Sequence, residues 1–155
     1  MIEIRRAGPQ DRQTVLELVE RLLTELEDLP KEFAGLDRDR TLFDLANAGD
    51  TFIAFLARTS GEPIGVLTVT ETFAIYAGGR YGVIDELYVE PAHRSAGIGR
   101  LLLEEALAVA RERGWRRLDV TAPPGPAWSR TVAFYEANGF VFTGPKLRRT
   151  VADGI

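Results

Sequence analysis

Apolar positions along the chain recur with two periods, and each period marks an element. Ile2-Glu3-Ile4-Arg5 alternates apolar and polar residues over a short span, the pattern of a half-buried strand. Pro9 then suits a first helical position, and Val15, Leu16, Leu18, Val19, Leu22, Leu23 and Leu26 form an apolar stripe at helical spacing. The stretch from Pro30 to Gly35 breaks the pattern. A second, shorter helix is predicted from Arg38 to Ala48, with Leu42, Phe43 and Leu45 inward and Gly49 closing it.

The middle of the chain changes to strand periodicity. Thr51 to Ala57 is nearly continuously apolar, Ser60-Gly61-Glu62-Pro63 is a turn, and Ile64 to Thr70 is the partner strand. Phe73 to Gly79 extends that strand and turns at Gly78-Gly79, and Tyr81 to Val89 is expected to be the central strand. Gly99 to Arg113 reads as a helix burying Ile98, Leu102, Leu103, Ala106, Leu107 and Ala110. Arg111 and Arg113 complement its dipole, and Gly114 caps it. A strand over Arg117–Thr121, a proline-rich loop and a helix over Ser129–Asn138 follow. Two last strands, Phe140–Thr143 and Leu147–Val151, are expected to close the sheet. The order βααβββαβαββ predicts an α/β (α+β) fold with a mixed central sheet of about seven strands flanked by about four helices.

The chemistry concentrates after the strand that ends at Val89. Glu90-Pro91-Ala92-His93-Arg94-Ser95-Ala96-Gly97-Ile98-Gly99-Arg100 is a turn with two glycines that opens a long helix. Such a turn aims unpaired backbone N–H groups and the positive helix end outward, and a phosphate is their natural occupant. Arg94-x-x-Gly97-x-Gly99 is shorter than the three-glycine dinucleotide fingerprint and lacks the Lys-Ser/Thr ending of a nucleotide P-loop.

Composition narrows the alternatives. A chain of 155 residues, 45 % hydrophobic and 27 % charged, suits one globular domain, expected to span 1–155. No apolar stretch reaches the length of a membrane span, and the first six residues carry no apolar signal core. The absence of cysteine excludes disulfides, thiolate metal sites and cysteine nucleophiles, and a cytoplasmic location is expected. The single histidine, His93, argues against a serine–histidine triad or a multi-histidine metal site and is read as a loop residue beside the phosphate turn. A net charge of −4 argues against nucleic acid as a partner. Acids cluster between Glu25 and Asp50 (Glu25, Glu27, Asp28, Glu32, Asp37, Asp39, Asp44), which suits a cation or a solvated face.

The strand, the Arg94–Arg100 turn and the closing segment Ala133-Phe134-Tyr135-Glu136-Ala137-Asn138-Gly139-Phe140 together resemble the GNAT superfamily of acyl-CoA-dependent N-acetyltransferases. The resemblance is strongest from about Ile84 to Phe140. It implies that acetyl-CoA is the co-substrate, that no metal is needed, and that an amine attacks the thioester directly. It also implies that the strand diverges from its next neighbour, so that Leu87, Tyr88 and Val89 present backbone groups to the pantetheine amides. Arg94, Ser95, Ala96, Gly97, Ile98, Gly99 and Arg100 would hold the pyrophosphate, Gly97 and Gly99 allowing close approach. Tyr135 matches the family tyrosine beside the sulfur, where a phenol can protonate the leaving thiolate. A backbone N–H of Leu87 or Tyr88 would hold the oxyanion.

Glu86 is the candidate base for the ammonium proton. Strand alternation puts Glu86 and Tyr88 on one face and Asp85, Leu87 and Val89 on the other, so only one of the two acids is expected to face the site. Trp128 stands where many members carry an asparagine, with Ser129 and Arg130 as candidate substitutes. A catalytically idle acyl-CoA-binding module is the alternative function. The acids suggest a cationic small molecule as acceptor, with a peptide α-amine or a lysine left open, and a homodimer is a possible assembly.

Overall fold

The computed structural model describes residues 1–26, 37–121, 128–144, 147 and 149. They fall into two units, Met1–Val120 and Thr121–Ile155. The first holds a five-stranded mixed sheet: β1 (Ile2–Arg6), β2 (Phe52–Thr59), β3 (Glu62–Ala74), β4 (Gly79–Val89) and β5 (Leu118–Val120), side by side in that order. The first four strands form an antiparallel meander, and β5 returns parallel to β4. β3, not the strand ending at Val89, is therefore the middle one of the five described strands.

Three helices belong to this unit: α1 (Arg12–Glu25), α2 (Arg38–Asn47) and α3 (Ile98–Arg113). The two sides of β3 receive different helices. Val15 and Leu18 of α1 cluster with Ala54, Leu56, Val66 and Tyr88, so the even-numbered side chains of β3 face α1. A Cβ on Gly65 would lie 3.3 Å from Leu102 of α3, so the odd-numbered side chains face α3. Both sides are buried, which explains why β2 and β3 read as almost unbroken apolar runs.

α3 buries Ile98, Leu102, Leu103, Ala106, Val109 and Ala110 and ends at Gly114, whose φ of +71° suits a residue without a Cβ. Val109 thus takes the core position expected of Leu107. α2 buries no residue, and Phe43, expected inward, is exposed. Asp37 caps it, accepting from the Arg40 N–H at 3.0 Å.

The second unit contains α4 (Ser129–Ala137). Trp128, half-buried, stands at its N-cap without a side-chain cap bond. The expectation of about seven strands does not hold, for the described residues contain five. Phe140–Thr143 has no strand partner among the described residues, and Val141 and Phe142 are exposed. Most of the expected strand Leu147–Val151, the Pro30–Gly35 breaker and the loop 122–127 lie outside the described residues. Among the described residues, no helix is long and apolar enough to cross a membrane.

Candidate functional site

The pairing of β4 with β5 covers only Gly82–Ile84, against Leu118–Val120. From Asp85 to Val89 that edge of β4 has no strand partner among the described residues. Glu90 N–H donates to the Ile64 carbonyl on the β3 side at 2.8 Å. In a trans peptide the preceding carbonyl points the opposite way, so the Val89 carbonyl faces the open edge. By alternation the N–H and C=O of Leu87 face it too, while those of Tyr88 face β3. Of the three residues expected to offer backbone groups, Leu87 and Val89 are placed to do so and Tyr88 is not. The Val89 carbonyl is already occupied, since Arg94 Nε donates to it at 2.8 Å.

The turn after β4 supplies donors. Arg94 N–H bonds to the Pro91 carbonyl and Leu101 N–H to the Gly97 carbonyl. Between them, the N–H groups of Ser95, Ala96, Gly97, Ile98, Gly99 and Arg100 meet no backbone carbonyl among the described residues. Ser95 and Gly97 have φ of +67° and +80°, which bends the chain so that successive N–H groups converge. A Cβ on Gly97 would have open space around it, so glycine is required there by conformation, not by packing. This is the N-terminus of α3, whose dipole adds to the attraction for an anion.

The two arginines of the turn differ. Arg94 Nη2 lies 2.7 and 2.8 Å from the two carboxylate oxygens of Glu25, and its guanidinium lies over the Tyr88 ring, 5.6 Å from the centroid. Its side chain is committed within the protein. Arg100 is exposed and makes no hydrogen bond or ion pair among the described residues. His93 ends a short 3-10 turn, Pro91–His93, ahead of it.

The acids on β4 do not sit as simple alternation predicts. Thr68 pairs with Glu86 but Val69 pairs with Ile84, so Asp85 is an extra residue, a β-bulge. The bulge breaks the alternation. Thr70 Oγ1 donates to Asp85 Oδ2 at 2.8 Å and Thr68 Oγ1 donates to Glu86 Oε2. Thr68 and Thr70 are two residues apart on one side of β3, so both carboxylates lie on that side. The expectation that Asp85 and Glu86 face opposite ways is thus corrected. Burial, and then the neighbouring Asp85 charge, push the Glu86 carboxyl up to about 7. A carboxyl there exchanges protons near neutrality, which is what a general base needs.

Thr68 is the site residue that pattern reading missed. Its signal was a lone hydroxyl in the apolar run Ile64 to Val69. The acids read as a cation-attracting region are partly spent: Glu25 holds Arg94, Asp37 caps α2, and Asp44 lies 3.5 Å from Arg40. Glu27, Asp28 and Glu32 lie outside the described residues. Among the described residues no three His, Asp or Glu are grouped to hold a metal ion.

Tyr135 belongs to the second unit. It is buried, with the rings of Phe134 and Phe140 edge-on to its own, each with centroids 5.3 Å away. Burial pushes its phenol up to about 12, so the group stays protonated and is a donor at any working pH.

The profile of the Acetyltransferase (GNAT) family matches residues 16–140, and the chain belongs to that family. It is 33 % identical over 146 residues to an IAA acetyltransferase of Azospirillum brasilense, covering 93 % of this chain and 87 % of that one. Its fold matches the crystal structure of a GCN5-related N-acetyltransferase from Ralstonia eutropha JMP134 with a TM-score of 0.80, at 22 % identity, covering 97 % and 99 % of the two chains. A predicted acetyltransferase from Clostridium acetobutylicum, solved with acetyl-CoA, matches with a TM-score of 0.78, at 21 % identity and 97 % and 96 % coverage. The protein is an acetyltransferase that uses acetyl-CoA, and nothing favours the idle binding module.

Proposed function

We infer that acetyl-CoA lies along the open edge of β4 with its pyrophosphate in the Ser95–Arg100 turn. The Leu87 carbonyl and Val89 N–H take the pantetheine amides, and Arg100 adds a charge-assisted contact to phosphate. The carrying observation is the run of six N–H groups at the head of α3 that meet no backbone acceptor among the described residues, after a strand edge that pairs with none of the described strands. Burying an anion there satisfies donors that otherwise need water. Arg94 serves chiefly to tie Val89 and α1 together, as its bonds to the Val89 carbonyl and Glu25 indicate.

The acceptor in this reading is an amine that arrives as ammonium. Glu86 takes its proton, directly or through water, and the freed nitrogen attacks the thioester carbon. The C–N bond forms as the carbonyl becomes an oxyanion, which the edge-facing Leu87 N–H stabilises. Collapse breaks the C–S bond, the Tyr135 phenol protonates the departing thiolate, and the surplus proton left on the amide nitrogen goes through water to restore the phenol. The titration of Glu86 near 7 and of Tyr135 near 12 supports these opposite roles. Residues 1–155 are read as a single acetyltransferase domain, a reading supported by the family match over residues 16–140.

A cationic small molecule remains the favoured acceptor class, although the basis narrows. Among the described acids of the region, the carboxylates of Asp39 and Asp50 make no hydrogen bond or ion pair with described residues. A cytoplasmic location and a homodimer complete the reading. The test is release of free CoA thiol from acetyl-CoA across a panel of polyamines, aminoglycosides and peptide amines. Acetyl transfer to at least one is expected. Binding of acetyl-CoA with no transfer to any amine would contradict it.

A further inference from the structure

Aromatic residues aside, Thr68 is the only buried polar side chain among the described residues, with 1 % of its surface exposed. Val66, its neighbour on the same side of β3, belongs to the apolar cluster against α1, and a valine at position 68 would fit the same volume without the cost of burying a hydroxyl. The hydroxyl has two bonds, both to one residue across the sheet. It accepts from the Glu86 N–H at 3.1 Å and donates to the Glu86 carboxylate. The first bond fixes the second: with a lone pair held by the N–H, the single O–H is left to point at the carboxylate. The Asp85 bulge brings this about, since it shifts the register so that Glu86 stands opposite Thr68.

We propose that Thr68 is a positioning residue of the acetyl-transfer site, clamping the Glu86 carboxylate by a hydroxyl that the Glu86 backbone itself orients. This rests on the reading of Glu86 as proton acceptor. The clamp does two things. It selects one rotamer of a side chain that would otherwise lose several on burial, and it stabilises the ionised form against burial and against Asp85. The charges around Glu86 leave this balance to Asp85. On α1, which packs against this side, Arg21 pairs with Glu90, Glu25 pairs with Arg94, and Glu17 is exposed. β3 contributes only the hydroxyls of Thr68 and Thr70 near the pair.

The test is a pH titration of the Glu86 carboxyl carbon by 13C NMR in the full chain, with the resonance assigned by its loss in Glu86→Gln. Thr68→Val should raise the midpoint by about one pH unit, the usual scale for one lost charge-assisted bond, and Thr68→Ser should restore it. Asp85→Asn should move the midpoint down, opposite to Thr68→Val. Once an acceptor amine is found in the panel, the acid limb of kcat/KM should follow the same shifts while the KM for acetyl-CoA stays level. If Thr68→Val does not fold, Thr68→Ala carries the same expectation. A midpoint unchanged in the hydroxyl-free variant overturns the clamp. Glu86→Gln with undiminished turnover removes the acceptor reading and the proposal with it, whereas a slow Glu86→Gln beside an unshifted Thr68→Val removes the clamp alone.

Discussion

Arg94 and Glu25 form a two-pronged ion pair, one guanidinium nitrogen lying 2.7 and 2.8 Å from the two carboxylate oxygens, that joins the end of α1 to the turn after β4. Arg94 also donates to the Val89 carbonyl. The same side chain thus links the end of α1 with the turn that opens α3. Because Arg94 is engaged and Arg100 is not, the two arginines should differ in their effect on the cofactor. Arg100→Ala should weaken acetyl-CoA binding by roughly tenfold, the worth of one charge-assisted bond, and Arg94→Ala by less. Calorimetric titration with acetyl-CoA decides between them. Equal losses would return Arg94 to direct phosphate contact.

Gly97 is held at a φ of +80° with open space around the position of a Cβ. Gly97→Ala should cost about 1–2 kcal/mol of stability from the left-handed backbone alone. Gly97→Val should also weaken acetyl-CoA binding severely, because the side chain would occupy the space meant for phosphate oxygens. Urea unfolding and calorimetry measure the two effects separately. Normal acetyl-CoA affinity in the valine variant would move the phosphate site elsewhere.

Glu86 gives the protein a pH-dependent liability. Its carboxyl titrates near 7 in the fold against 4.5 ordinarily. Between those values the native state holds more protons than the unfolded chain, so stability falls as pH rises through that window. Above it the penalty is complete, about 3 kcal/mol at most. Glu86→Gln removes the penalty and should be more stable than the parent at pH 8, with the gap closing toward pH 4. Turnover should drop in the same variant, most strongly at low pH where free amine is scarce. A stability gap that does not vary with pH would mean that Glu86 is not perturbed.

Tyr135→Phe retains the ring that meets Phe134 and Phe140 and deletes only the hydroxyl. If the phenol protonates the thiolate, turnover should fall roughly ten- to a thousandfold with little change in acetyl-CoA affinity. Undiminished turnover, with chemistry rate-limiting, would leave Tyr135 as a packing residue.

Gly82 offers a test of the sheet itself. A Cβ there would lie 2.3 Å from the Trp115 ring and 2.9 Å from Leu118. Gly82→Ala should therefore destabilise the fold by about 1–3 kcal/mol through overpacking, seen as a lower urea midpoint.

What could be read from the residues alone follows from the physics of each element. α1, β2, β3 and α3 are long, strongly periodic and well punctuated, and most of the residues they bury lie on the faces the pattern implied, Val109 in place of Leu107 being an exception. The turn from Arg94 to Arg100 was legible as the opening of α3, because two glycines follow a strand that ends at a proline. The Asp85 bulge was not legible. Ile84-Asp85-Glu86-Leu87 carries no glycine or proline to mark it, and its existence depends on register with β3, a long-range property. The face of each acid, the hold of Thr68 and the capture of Arg94 by Glu25 all depend on such tertiary placement. Phe140–Thr143 misled because a short apolar run does not say whether a neighbour exists to pair with it.

The central claim is that acetyl-CoA binds with its pyrophosphate on the backbone of the turn and its arm along the edge of β4. An amide 1H–15N titration with acetyl-CoA tests this directly. The account predicts large shifts for Ser95, Ala96, Gly97, Ile98, Gly99 and Arg100, with further shifts at Leu87 and Val89, and no comparable response to NAD. Shifts confined to other parts of the chain, or an equal response of the turn to NAD, would contradict it.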